Sequence, residues 1–156
     1  MINNNIIIQK PLTHCGIYVE KILRDLPNWF GIEEAIIQYI KDADIMPTML
    51  VKDDNKVIGF LTIKRHFIET AEIHCLGILP KYHRKGIGKL LIQELENYLN
   101  KAGYKMLQVK TISKESDCTF YAKTREFYKR VGFIPIEVFP ELWDKSNPCL
   151  QLVKQI

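Results

Sequence analysis

Leu79-Pro80-Lys81-Tyr82-His83-Arg84-Lys85-Gly86-Ile87-Gly88-Lys89-Leu90-Leu91 is the stretch on which the reading of this chain turns. It follows an apolar, strand-like run that starts near Thr70. It opens an amphipathic helical pattern on Ile87, Leu90, Leu91, Leu95, Tyr98 and Leu99, with Gly103 as the expected stop. A strand that runs through a glycine turn into a helix is a place to hold phosphate. The first helical turn has unpaired N–H groups, and the helix dipole favours negative charge there. Lys81, Arg84, Lys85 and Lys89 add positive charge to this turn, and no acid follows before Glu94. Gly86 and Gly88 remove side chains where the backbone approaches a ligand. Two common phosphate motifs fail. A P-loop needs Ser or Thr where Leu90 stands and glycine where His83 stands, and a dinucleotide fingerprint needs glycine at Leu91. What remains is an anion held by the backbone amides of a short turn, with no metal required.

Outward from the turn, the chain alternates strand and helix signals. Residues 5–9 carry Ile6-Ile7-Ile8 and read as a strand. Ile17, Val19, Ile22, Leu23 and Leu26 predict a first helix from Gly16, broken by Pro27-Asn28-Trp29-Phe30-Gly31. Ile32, Ala35, Ile36, Tyr39 and Ile40 predict a second helix, reaching about Asp44. Met49 to Val51 is a strand, Asp53-Asp54-Asn55 a hairpin turn, and Lys56 to His66 a longer strand. A further strand runs from Thr70 to about Leu79. After the basic turn and its helix come a strand at Lys105 to Ile112, a helix at Thr119 to Val131 closed by Gly132, and strands at Phe133 to Phe139 and Leu150 to Val153. The order is β-α-α-β-β-β-α-β-α-β-β, which predicts an α/β (α+β) fold on a mixed sheet rather than a clean doubly wound one. No repeat or flexible linker interrupts it, so one domain over residues 1–156 is expected.

Composition bounds the function classes. The chain has 156 residues, 47% apolar and 26% charged, with net charge +4, which is the profile of a folded globular domain. No apolar run approaches the roughly 18 residues of a membrane span, and the N-terminus lacks the marks of a secretion signal, so no membrane partner and a cytoplasmic location are expected. The cysteines, Cys15, Cys75, Cys118 and Cys149, form no CxxC pair, and His14-Cys15 and His74-Cys75 point to opposite faces of a strand; no metal is expected. The modest positive charge shows no basic-aromatic interleaving, so no nucleic-acid partner is expected.

The glycine turn with Leu79-Pro80 before it resembles the coenzyme A-binding core of the GNAT (Gcn5-related) N-acetyltransferase superfamily, whose pattern is [Q/R]xxGxG/A. Gly86 and Gly88 match, and His83 stands in the Q/R position. A second motif agrees: Phe127-Tyr128-Lys129-Arg130-Val131-Gly132-Phe133 is similar to the family's FYxxxGF. The resemblance covers the element order of the whole chain. It implies the GNAT-like acyl-CoA N-acyltransferase fold, with acetyl-CoA as co-substrate. Ile78, Leu79, His83, Arg84, Lys85, Gly86, Ile87, Gly88 and Lys89 are then the expected coenzyme-binding positions. Tyr121, where the family often has Asn, joins them.

The implied reaction is direct attack of an amine on the thioester in a ternary complex. An alkylammonium of pKa near 10 must lose its proton, the oxyanion needs an N–H donor, and the leaving thiolate benefits from an acid. The resemblance places Tyr128 as the acid and the backbone N–H near Ile78 as the oxyanion donor. For the base, Glu72 and His74 share one face of a strand, and Ala71-Glu72-Ile73 is similar to the stretch carrying the glutamate base of the family's histone acetyltransferases. Glu72, His74 and a water relay all stay open, with Glu69 a weaker candidate. The acceptor is a small-molecule or protein amine; Trp29, Phe30, Asp42, Asp44, Glu137, Glu141, Trp143 and Asp144 lie in regions that shape its site in the family, and dimers are frequent there. The competing class is a non-catalytic acyl-CoA-binding module of the same fold.

Overall fold

In the computed structural model, which describes residues 5–156, the elements follow the expected order. They are β1 (Ile6–Ile8), α1 (Gly16–Arg24), α2 (Glu33–Ile45), β2 (Thr48–Asp53), β3 (Lys56–Phe67), β4 (Thr70–Ile78), α3 (Ile87–Lys101), β5 (Met106–Ile112), α4 (Thr119–Arg130), β6 (Ile134–Asp144) and β7 (Asn147–Gln155). The strands form one mixed sheet in the order β1-β2-β3-β4-β5-β7-β6. β4 and β5 are parallel, and β7 pairs antiparallel with both β5 and β6. The chain divides into two units. The first holds residues up to Lys64 together with His74–Tyr98, and the second holds Arg65–Ile73 and Leu99–Ile156.

In the first unit, the apolar face of α1 (Val19, Ile22, Leu23) is buried along with Leu26, as its periodicity requires. The start of α1 is held from α2: the Gly16 N–H donates to Asp44 Oδ1 at 2.8 Å, supplying an acceptor that Cys15 at the N-cap does not. β2 and β3 form the hairpin expected at Asp53-Asp54-Asn55. Gly77 in β4 lies against a packed wall, where a Cβ would sit 2.9 Å from Phe60 and 3.0 Å from Ile22. The other buried side chains of this unit include Leu50, Ile58, Phe60 and Leu61.

In the second unit, Leu107 and Val109 of β5 and Cys149 and Leu152 of β7 are buried, as are Tyr128 and Phe133. Both last strands are longer than the sequence suggests. β6 runs past the expected end at Phe139 to Asp144: it is an edge strand whose pairing with β7 is irregular between Phe139 and Asp144, so the missing N–H of Pro140 costs no ladder bond. Asp144 Oδ1 then closes the hairpin by accepting from the N–H groups of Ser146 and Asn147 at 2.8 and 3.0 Å. Gly103 and Gly132, both at positive φ, end α3 and α4 as expected. Among the described residues, no helix is long and apolar enough to cross a membrane.

Candidate active site

The turn after β4 is built by short-range contacts within the first unit. Pro80–Tyr82 make one tight helical turn, and α3 starts at Ile87. Between them, Arg84 at φ +59° and Gly86 at φ +81° are left-handed. Gly86 has no Cβ to oppose this conformation, whereas Arg84 holds it against a steric penalty. Ile87 is buried at 2% exposure, so it anchors the helix start, while Lys81, Arg84, Lys85 and Lys89 are exposed. Tyr82 donates its hydroxyl to Asp53 Oδ2 at 2.7 Å, which ties the turn to the β2–β3 hairpin. The ammonium groups of Lys81 and Lys85 lie 4.9 and 5.4 Å from the Tyr82 ring centre.

His83, in the Q/R position, works inside the turn. Its Nε2 lies 2.6 Å from the Ile78 carbonyl oxygen, which can only accept, so Nε2 carries the proton. Its ring meets Trp29 edge-on at 5.5 Å. The Leu79 N–H donates to the Ile58 carbonyl at 2.9 Å, so that amide is occupied by the sheet.

His74 belongs to the same unit and has a partner that strand alternation does not reveal. Its Nε2 lies 2.7 Å from Asp42 Oδ2, on α2. Asp42 is buried at 7% exposure, and its other oxygen accepts from Gln38 Nε2 at 2.9 Å, one helical turn away. The Tyr39 ring packs edge-on against His74 at 5.4 Å, and Phe30 packs edge-on against Tyr39 at 6.0 Å. Asp42 was legible only as one acid in a region rich in acids and aromatics. Pairing it with a histidine 32 residues away required the packing of α2.

Glu72 lies in the second unit, buried at 5% exposure. Its carboxylate meets His66 Nε2 at 2.5 Å and accepts from Gln108 Nε2 at 2.8 Å and Lys110 Nζ at 3.0 and 3.1 Å. Burial by itself would push its carboxyl up, but the hydrogen bonds from His66, Gln108 and Lys110 outweigh it and hold the group below the ordinary glutamate value. Gln108 sits directly opposite Glu72 in the parallel β4–β5 ladder, with Lys110 two residues further along. That register has no signature in either strand taken alone, so these partners were missed. Glu69 is exposed at the β3–β4 turn and pairs with Lys105.

Tyr128, also in the second unit, is 5% exposed on the inner face of α4, with Phe127 and Phe133 at ring distances of 5.3 and 5.5 Å. Tyr121, two turns earlier, is half-buried. Arg125 fixes α4 to the end of β5 by donating to the Ile112 carbonyl at 2.9 Å. Among the described residues, all four cysteines are free thiols, and burial pushes those of Cys15, Cys75 and Cys149 up, away from reactivity. No group of three or more His, Cys, Asp or Glu side chains among the described residues is arranged to hold a metal ion.

A mixed sheet with a parallel β4–β5 pair and a basic, left-handed turn leading into α3 defines a class, and comparison with known proteins agrees. Residues 18–133 match the acetyltransferase (GNAT) family model, so the chain belongs to the GNAT family of acetyltransferases. It is 31% identical over 120 residues to an uncharacterised N-acetyltransferase of Chlorobaculum tepidum, an alignment covering 74% of this chain. The chain spans 66% of that relative's length, just under two thirds. The fold is shared with a GNAT-family protein of Desulfovibrio desulfuricans (TM-score 0.83, 15% identity, 96% and 98% of the two chains). It is also shared with a GNAT-family acetyltransferase of Elizabethkingia anophelis, solved with acetyl-CoA bound (TM-score 0.75, 20% identity, 99% and 100%).

Proposed function

We propose that this chain is an acetyl-CoA-dependent N-acetyltransferase that moves the acetyl group to a primary amine by direct attack in a ternary complex. The observation that carries this reading is the turn at Arg84–Gly88, where two left-handed residues precede the first-turn N–H groups of α3 among exposed Lys81, Arg84, Lys85 and Lys89. Left-handed residues in such a turn are where successive N–H groups converge into an anion-holding nest, and a helix N-terminus adds its dipole. The donor set fits a pyrophosphate: backbone amides and cations, with no carboxylate in the turn. The acetyl-CoA held by the Elizabethkingia protein of the same fold supports that choice of ligand.

The remaining roles are those that the family resemblance implies, matched to what the reaction needs. The amine nitrogen bonds to the acetyl carbonyl carbon as the carbon–sulfur bond breaks. The amine's proton passes to a base on β4, from the pair Glu72 and His74. The Ile78 N–H is the donor to the developing oxyanion, and Tyr128 returns a proton to the departing thiolate. Removal of one such donor or acid costs about 10²-fold or more in rate.

The test is thiol release from acetyl-CoA across a panel of amines, run beside a thermal shift with acetyl-CoA alone. The proposal expects both a shift and amine-dependent release. A shift with no release on any amine would favour a binding module, and no shift in folded, coenzyme-free protein refutes the reading.

A further inference from the structure

Two side chains of β4 are candidates for the proton acceptor, and their surroundings differ in kind. The Glu72 carboxylate is surrounded by donors, including the ammonium of Lys110 at 3.0 Å, and its basicity is lowered. His74 instead faces an acceptor. An ionised carboxylate can only accept, so the 2.7 Å contact with Asp42 Oδ2 puts a proton on His74 Nε2. In the neutral ring this leaves the lone pair on Nδ1, which is the state a general base requires.

We propose that Asp42 is a positioning residue: it holds His74 as the Nε2–H tautomer and so presents Nδ1 as the atom that takes the amine proton. This rests on the acetyltransferase reading above and names its base. Gln38 is the third member of the arrangement. It donates Nε2–H to Asp42 Oδ1 at 2.9 Å, which fixes the carboxylate so that Oδ2 faces the ring. The edge-on Tyr39 ring at 5.4 Å packs beside His74. A carboxylate that orients an imidazole without itself taking the proton is a known way to fix a catalytic tautomer. In the step, one proton leaves the attacking nitrogen for Nδ1, and the ring becomes an imidazolium facing the Asp42 carboxylate.

An amide at position 42 has two ways to sit, because the Gln38 amide can donate its NH2 or turn its oxygen to accept. In Asp42→Asn, wherever the oxygen of the new amide stays with the Gln38 NH2, its own NH2 group faces His74. Nε2 must then accept, and the proton moves to Nδ1. The double variant Asp42→Asn/Gln38→Glu reverses this: the amide donates to the new carboxylate and turns its oxygen back to His74 Nε2–H.

The experiment is two-bond 15N–1H correlation on 15N-histidine-labelled full chain with neutral imidazoles, the His74 signals assigned by their loss in His74→Gln. It is run beside kcat and KM for the amine found by the panel. The expected result is Nε2–H in wild type, an Nδ1–H population in Asp42→Asn with kcat lowered in proportion to it, and the wild-type tautomer and kcat restored at least in part in the double variant. KM for acetyl-CoA should move less than threefold throughout. A purely structural role for Asp42 would give loss of activity with the tautomer unchanged, and no rescue. Nδ1–H in the wild type, or a kcat that does not follow the Nε2–H population across the variants, overturns the proposal. The wild-type spectrum decides even where the variants unfold. It also stands apart from the acetyltransferase reading, because it needs no turnover.

Discussion

Replacing Glu72 by glutamine tests what its network does for the fold. The carboxylate is 5% exposed and receives donors from His66, Gln108 and Lys110 at 2.5 to 3.1 Å. A hydrogen bond to a charged group is worth about 1.5–3 kcal/mol, and an unsatisfied buried partner costs about 1–3 kcal/mol. The new side chain keeps one acceptor oxygen but points an NH2 group at donors. Lys110, whose side chain is 24% exposed, can turn to water. These offsets leave a loss of about 2 kcal/mol at pH 7, or about 4–8 °C in Tm for a chain of this size. The pH dependence is the sharper readout. A carboxyl held below its ordinary value in the folded state contributes stability that is fully present above the unfolded value, about 4.3, and that disappears as pH falls through the folded value. In urea unfolding from pH 7 down to pH 3, the difference between wild type and Glu72→Gln should therefore hold above the unfolded value of about 4.3 and shrink progressively below it. A destabilisation that stays constant across the whole range would refute the ion-paired description of Glu72.

Gly86→Val places a branched side chain at φ +81°, so it should abolish the thermal shift with acetyl-CoA. At 100 times the dissociation constant the wild type should gain about 2.7 kcal/mol. Tyr128→Phe should lower kcat about 10²-fold while acetyl-CoA affinity by calorimetry is unchanged; an equal loss in both would assign Tyr128 to binding instead. Gly77→Ala should destabilise by about 1–3 kcal/mol in urea unfolding, because its Cβ would stand 2.9 Å from Phe60 and 3.1 Å from Leu26.

Resemblance of two motifs to the GNAT pattern pointed to the fold family, and the sequence by itself determined the element order and the basic glycine turn. These depend on local physics. Apolar side chains at helical or alternating spacing mark α1, α3 and β4, and glycine marks the turn before α3 and the ends of α3 and α4. All of this is written within a few residues of itself. The extent of β6 was not, because a proline is tolerated in an edge strand where pairing is irregular, and both are properties of the sheet. The environments of the candidate bases were likewise decided only in three dimensions. Glu72 and His74 look alike as polar residues two apart on one strand. The parallel register of β4 on β5 gives the first a lysine and a glutamine amide, β3 adds His66, and the packing of α2 gives the second a buried carboxylate. What a titratable side chain can do is set by the few groups within about 3 Å of it, and those groups arrive from distant parts of the chain.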